Sequence, residues 1–145
     1  MISIATDLTI LFAAACLAAT IIPAQSEAVL TGLYFSGHHN AVVLIIVATA
    51  GNVLGACINW LIGRYLLMFQ DRSWFPVSAH ALDRATHHYQ RYGVWTLLLA
   101  WVPIIGDPLT LIAGVMRTHF GLFFLLVTIG KAARYIALVF ALSSI

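Results

Sequence analysis

At 145 residues the chain has room for one domain. Hydrophobic residues make up 62% of it and charged residues only 8%, against about 25% charged in a soluble domain, and the mean hydropathy is +0.98. These figures describe an integral membrane protein, and a scattered net charge of +2 gives nucleic acid nothing to bind.

No Lys or Arg precedes the first apolar run, and Asp7 is the first charge, so a cleaved secretory signal is not expected. Ala13-Ala14-Ala15-Cys16 has the outline of a lipoprotein cleavage site but lacks the basic segment before it. Residues 8–22 are helical in pattern yet short: at 1.5 Å per residue they reach about 22 Å, less than a hydrocarbon core of roughly 30 Å. Pro23-Ala24-Gln25-Ser26-Glu27 breaks the run, and a still shorter apolar piece, 28–35, ends in the turn Ser36-Gly37-His38-His39-Asn40.

Residues 41–63 are long enough to span. Gly51 and Gly55 allow close helix approach there, while Asn52 and Asn59, seven apart, share a face toward the interior as cavity-lining or interhelical polar groups. The polar stretch 64–92 follows. Trp74, Phe75 and Pro76 suit the membrane interface, and Ser78 can cap a helix that runs to about residue 92. Leu82, Ala85, Tyr89 and Tyr92 form its apolar side and Asp83, Arg84, His87, His88 and Arg91 its polar side, so the helix is expected flat on the membrane with Leu82 and Tyr89 toward lipid. His80, Asp83 and His87 could line one face, but that spacing arises readily by chance and no metal is expected.

Two further short pieces, 94–106 and 109–116, flank a second break made by Pro103, Gly106, Asp107 and Pro108. Residues 120–142 form the second full span, with Lys131 and Arg134 near its middle. Cys16 and Cys57 both fall in apolar segments and are expected as buried free thiols.

The two breaks echo one another. Pro23 and Pro103, and likewise Glu27 and Asp107, stand 80 positions apart, and Gly51-Asn52 is matched by Gly130-Lys131. Each half reads as short helix, break, short helix, turn, span. Two short helices meeting at a proline cannot each cross a bilayer, so each pair is expected to form a re-entrant hairpin covered by protein. One crossing per half then inverts the second half relative to the first. The expected fold is an all-α integral membrane protein of one domain, residues 1–145. Repeat 1 covers about 8–64, an amphipathic linker about 65–92 and repeat 2 about 93–145. Arg64, Arg72, Arg84 and Arg91, four of seven basic residues, lie in the linker, and Arg117 would share its side. The positive-inside rule puts the linker in the cytoplasm and both termini, with His38-His39, outside.

Glu27 and Asp107 each begin a half-helix, where free amides and the positive dipole end favour an anion, and Ser26 could cap the first. A desolvated carboxylate at that depth is a candidate proton carrier; the plainer role is capping or pairing with a cation. Lys131 and Arg134, at i and i+3, share a face. They are candidates for receiving a phosphate or carboxylate of a substrate, or, more plainly, for balancing the two acids in a structural lock. No Ser-His-Asp arrangement, Walker loop, GxGxxG or CxxC is present, so neither an enzyme nor a cofactor is expected.

Several of these residues together resemble a known family. Glu27 after Pro23, Gly51-Asn52-Val53-Leu54-Gly55 leading to Asn59 and Gly63-Arg64, and Arg91-Tyr92-Gly93 are one part of the likeness. Trp101-Val102-Pro103-Ile104-Ile105-Gly106-Asp107 running on to Ala113-Gly114, and Gly130-Lys131-Ala132-Ala133-Arg134-Tyr135, are the other. The chain is similar to the DedA superfamily, also called SNARE-associated Golgi or VTT-domain proteins, and to its short YqaA-like bacterial branch. The resemblance covers essentially the whole chain. It implies a multi-pass inner-membrane protein with two opposed re-entrant hairpins that moves lipids or lipid phosphates, such as a prenyl phosphate, with proton coupling. Its expected partners are membrane lipids, the lipid-phosphate substrate, protons and further copies of itself. The alternatives are a proton- or ion-coupled carrier of a small polar solute, and a non-transporting structural membrane protein.

Overall fold

The computed structural model describes residues 3–20, 25–65, 79–101 and 106–145. Among the described residues there is no strand. The helices are α1 (Ile4–Thr20), α2 (Gln25–Ser36), α3 (Ala41–Tyr65), α4 (Ala79–Tyr92), a 3₁₀ helix (Gly93–Trp101), α5 (Gly106–Val115) and α6 (Phe120–Ser143). Pro23, Pro103, Arg72, Ser78 and the interfacial Trp74, Phe75 and Pro76 lie outside the described residues.

Local chemistry accounts for where the helices start. The Ser3 hydroxyl accepts the Thr6 N–H at 3.2 Å, Asn40 Oδ1 accepts the Val42 N–H at 2.8 Å, and His119 Nδ1 accepts the Gly121 N–H at 3.2 Å. Each satisfies an amide that the first turn leaves without a partner. Pro108 sits in the first turn of α5, where its missing N–H costs nothing. The ends are alike in the two halves. After α2, Gly37 takes a left-handed φ of 73°, and after α5, Arg117 takes one of 56°. These two residues are 80 positions apart, the same spacing as Glu27 and Asp107.

α3 and α6, with 25 and 24 residues, reach about 37 and 36 Å and exceed the hydrocarbon thickness. α1, with 17 residues, reaches only about 25 Å. The apolar run after α4 winds, over the nine described residues Gly93–Trp101, as a 3₁₀ helix rather than an α-helix. Its steeper rise of about 2.0 Å per residue lets so short a piece extend about 18 Å.

In lipid there is no hydrophobic gain from helix association, so close packing and hydrogen bonds must hold the bundle. α3 is the shared wall. Gly51 lies against the Phe12 carbonyl of α1, Gly63 against the Leu111 carbonyl of α5, and Gly114 of α5 against the Trp60 carbonyl of α3. A side chain at any of the three would collide with backbone. α6 runs antiparallel to α3. Trp60 near the end of α3 packs on Phe120 at the start of α6 with ring centroids 5.2 Å apart, while Leu44 and Ala48 share a cluster with Tyr135, Leu138 and Leu142.

The linker helix forms where its periodicity predicts, with Asp83, Arg84, His87 and Arg91 exposed. Tyr89 corrects the expectation of a lipid-facing stripe. It is buried in the core against α5, and its hydroxyl meets that of Thr118. The ring is apolar enough for either direction, and inward the hydroxyl finds a partner in Thr118. The side chain of Leu82 lies outside the described residues.

Candidate functional site

Glu27 is the third residue of α2, where the helix N-terminus favours a carboxylate. Arg134 of α6 reaches it: Nε donates to Oε1 at 2.7 Å, and a second guanidinium nitrogen donates to the same oxygen. The Arg134 side chain is 7% exposed and that of Glu27 34%, so the pair spans the boundary of the packed interior. Lys131, one turn before Arg134, is entirely buried.

Tyr135 completes a polar node beside the pair. Its hydroxyl lies 2.8 Å from Ser26 Oγ and accepts from Asn52 Nδ2 at 3.0 Å. One phenol therefore ties α2, α3 and α6 together in the interior. Ser26 is thus not the cap of α2. It is the second residue of the helix, and its buried hydroxyl turns to Tyr135 instead.

The two asparagines share a buried face of α3, but they serve different places. Asn59 Nδ2 donates to Thr110 Oγ1 at 3.2 Å and so ties α3 to α5, about 10 Å along the helix from the Tyr135 node. Gly106 and Asp107 open α5 and Pro108 is buried in its first turn, while the Asp107 side chain lies outside the described residues. Glu27, Arg134 and Asn52 are thus gathered around one node with Lys131 on the same helix, whereas Asn59 belongs to a second link.

Sequence reasoning overlooked three features. Tyr135 was visible only as part of a motif, although a phenol one residue after Arg134 in an apolar span needs a buried partner. The second is a clip between the start of α1 and the turn before α3, where His39 Nε2 lies 3.0 Å from Asp7 Oδ2 with the imidazole almost completely buried. Nothing in spacing links two residues 32 apart across a break. The third is a pair of threonine hydroxyls on α3 and α6, described below.

A family model described as the VTT domain matches residues 22–144, most of the chain. The chain belongs to the VTT-domain family. This is the DedA family that its motifs resemble. The Inner membrane protein YqaA of Escherichia coli (strain K12) is 40% identical over 133 residues, covering 92% of this chain and 89% of that protein. An uncharacterized protein of Haemophilus influenzae is 34% identical over 143 residues, 94% of this chain and 87% of its own length. Undecaprenyl phosphate transporter A of Staphylococcus aureus is 29% identical over 119 residues, 76% of this chain and 59% of that protein. No solved structure is a significant match. Together with two apolar helices long enough to span, these likenesses make the chain an inner-membrane protein.

Proposed function

We propose that this member of the VTT-domain family translocates a lipid phosphate across the inner membrane. The observation that carries the proposal is the buried cationic side of α6, where Lys131 is fully enclosed and Arg134 is held by Glu27 beside the Tyr135 node. Charges at such depth are costly and are commonly retained for transport. A phosphate monoester could replace Glu27 on Arg134, with the freed carboxylate taking up a proton and returning it on release. Asp107 is the matching candidate in the second half. The name of the Staphylococcus aureus relative favours the same substrate class.

The proposed architecture is an inverted repeat of two re-entrant hairpins. In its support, the first hairpin is clipped at the N-terminal end of α3 through Asp7 and His39, and the second packs at the C-terminal end through Gly63 and Gly114. Arg64, Arg84, Arg91 and Arg117 then belong to the cytoplasmic side. An oligomer is part of the proposal.

The test is reconstitution in liposomes with a labelled prenyl phosphate. Inward or outward movement above empty vesicles, stimulated by a pH gradient and lost in Arg134→Gln, is the expected result. Movement no faster than in empty vesicles at every gradient sinks the proposal. Glu27→Gln separates transport from scaffolding. Transport predicts folded but inactive protein, and a purely structural lock predicts only lower melting temperature.

A further inference from the structure

A groove of about 570 Å³ lies between α3 and α6, with Phe12 contributed by α1. Its lining is apolar apart from two threonines, Thr49 on α3 and Thr128 on α6. These stand 79 positions apart, as do Asn52 and Lys131, so Thr49-Ala50-Gly51-Asn52 and Thr128-Ile129-Gly130-Lys131 are one motif written twice.

The two hydroxyls behave unlike Thr9 and Thr31 of the described helices. A helical threonine ordinarily returns its hydroxyl to the carbonyl one turn back. Thr9 does so to Ala5 at 2.7 Å, and Thr31 to Glu27 at 2.7 Å. Thr49 Oγ1 and Thr128 Oγ1 are buried without any hydrogen-bond partner among the described residues, and one end of the Asn52 carboxamide is likewise unmet. A buried unmet hydroxyl is destabilising. Its recurrence at twin positions on two facing helices points to a partner that comes and goes.

The threonines present carbon to the groove while their oxygens lie beneath it. Helical threonine has two accessible χ1 states, so one rotation exchanges the methyl for the hydroxyl. The antiparallel register, with Trp60 beside Phe120 and Asn52 bonded to Tyr135, sets Thr128 level with about residue 55 of α3. The two hydroxyls are therefore spaced about 9 Å apart along the groove.

We propose that this groove holds the hydrocarbon chain of one lipid phosphate, and that Thr49 and Thr128 are successive hydroxyl stations for its headgroup. The inference rests on the translocation reading above and names where the substrate rides. An apolar wall suits a chain and not a sugar, and the volume is in the range of small-molecule sites. Hydroxyls donate to phosphate oxygens, and the cations Lys131 and Arg134, one and two turns from Thr128 on α6 and buried behind the groove lining, favour an anionic head at that level.

The test uses the full chain in vesicles of phosphatidylcholine and phosphatidylglycerol with a prenyl phosphate carrying a photoactivatable diazirine in its tail. Mapped adducts are expected to concentrate on Ile46, Leu54 and Phe124. Ala132→Phe, which fills the groove, is expected to reduce them about tenfold, and Thr49→Val with Thr128→Val to slow movement by a similar factor with melting temperature unchanged or raised. Adducts spread evenly over the lipid-facing helices overturn the inference. So does a fall in melting temperature of the double variant, which would assign the hydroxyls a structural bond. A Cys57–Cys57 cross-link between chains without lipid adducts overturns it in favour of a second copy in the groove. Undiminished movement in the variants removes this inference and leaves translocation standing. Groove adducts without any movement remove translocation and leave the groove as the lipid-phosphate site.

Discussion

The two halves of α3 are built on the same plan and fastened by different chemistry. In each half a shorter helix presses a carbonyl onto a glycine, Phe12 on Gly51 near the middle of α3 and Leu111 on Gly63 close to its C-terminus. In the first half the polar fastening is an ion pair and a phenol shared by three helices; in the second, the described fastening is the neutral bond from Asn59 to Thr110. Close backbone contact is what an apolar solvent demands of both, since packing is the common source of association there. The charges are an addition to that frame. Their asymmetry suggests that packing sets the architecture and that the polar node is specialised.

That comparison can be broken most forcefully at the glycines. Gly114→Val or Gly63→Val drives a side chain into backbone and is expected to cost about 3 kcal/mol or more, seen as loss of monodisperse protein in detergent. Gly51→Val should be as damaging; if it is tolerated, the two contacts are not equivalent. Next in size is Arg134→Gln, expected to lose about 2–3 kcal/mol in thermal or denaturant unfolding because Glu27 is left at the edge of the interior without its partner. Combining it with Glu27→Gln should recover part of the loss, and strictly additive effects would argue that the pair does not couple. Tyr135→Phe removes one hydroxyl from two partners and should cost about 1–2 kcal/mol, more than Asn59→Ala at the neutral link. Smallest is Asp7→Asn, about 0.5 kcal/mol, since the carboxylate is partly exposed and its pair sits at the rim.

The broad design could be read in advance because a membrane protein's length and polarity rules are strict. Apolar runs of 23 residues foretell helices long enough to span, and α3 and α6, with 25 and 24 residues, are that long, while α1 has 17. Arg134 and Glu27 were also legible as partners, since a buried charge demands an opposite one. Direction was harder. Tyr89 lies on a correctly placed helix yet faces the core, because an amphipathic pattern does not say whether lipid or protein covers the apolar side. The Asp7–His39 clip, the Tyr135 node and the unmet threonines depend on contacts 32 to 109 residues apart in sequence, or on absent ones, and neither leaves a periodic trace.

Arg117 carries a last consequence. It holds a left-handed backbone where its counterpart 80 residues earlier is Gly37, and for a residue with a Cβ that conformation costs about 1 kcal/mol. Glycine would relax the turn but delete a cation between α5 and α6. As the nascent chain leaves the ribosome, that cation stands between the short helix α5 and the long apolar α6, and under the proposed architecture and orientation it holds the loop on the ribosomal side. Local comfort in the finished fold is given up for a vote cast during biogenesis, so Arg117→Gly should yield a sturdier turn in a population of molecules inserted less uniformly.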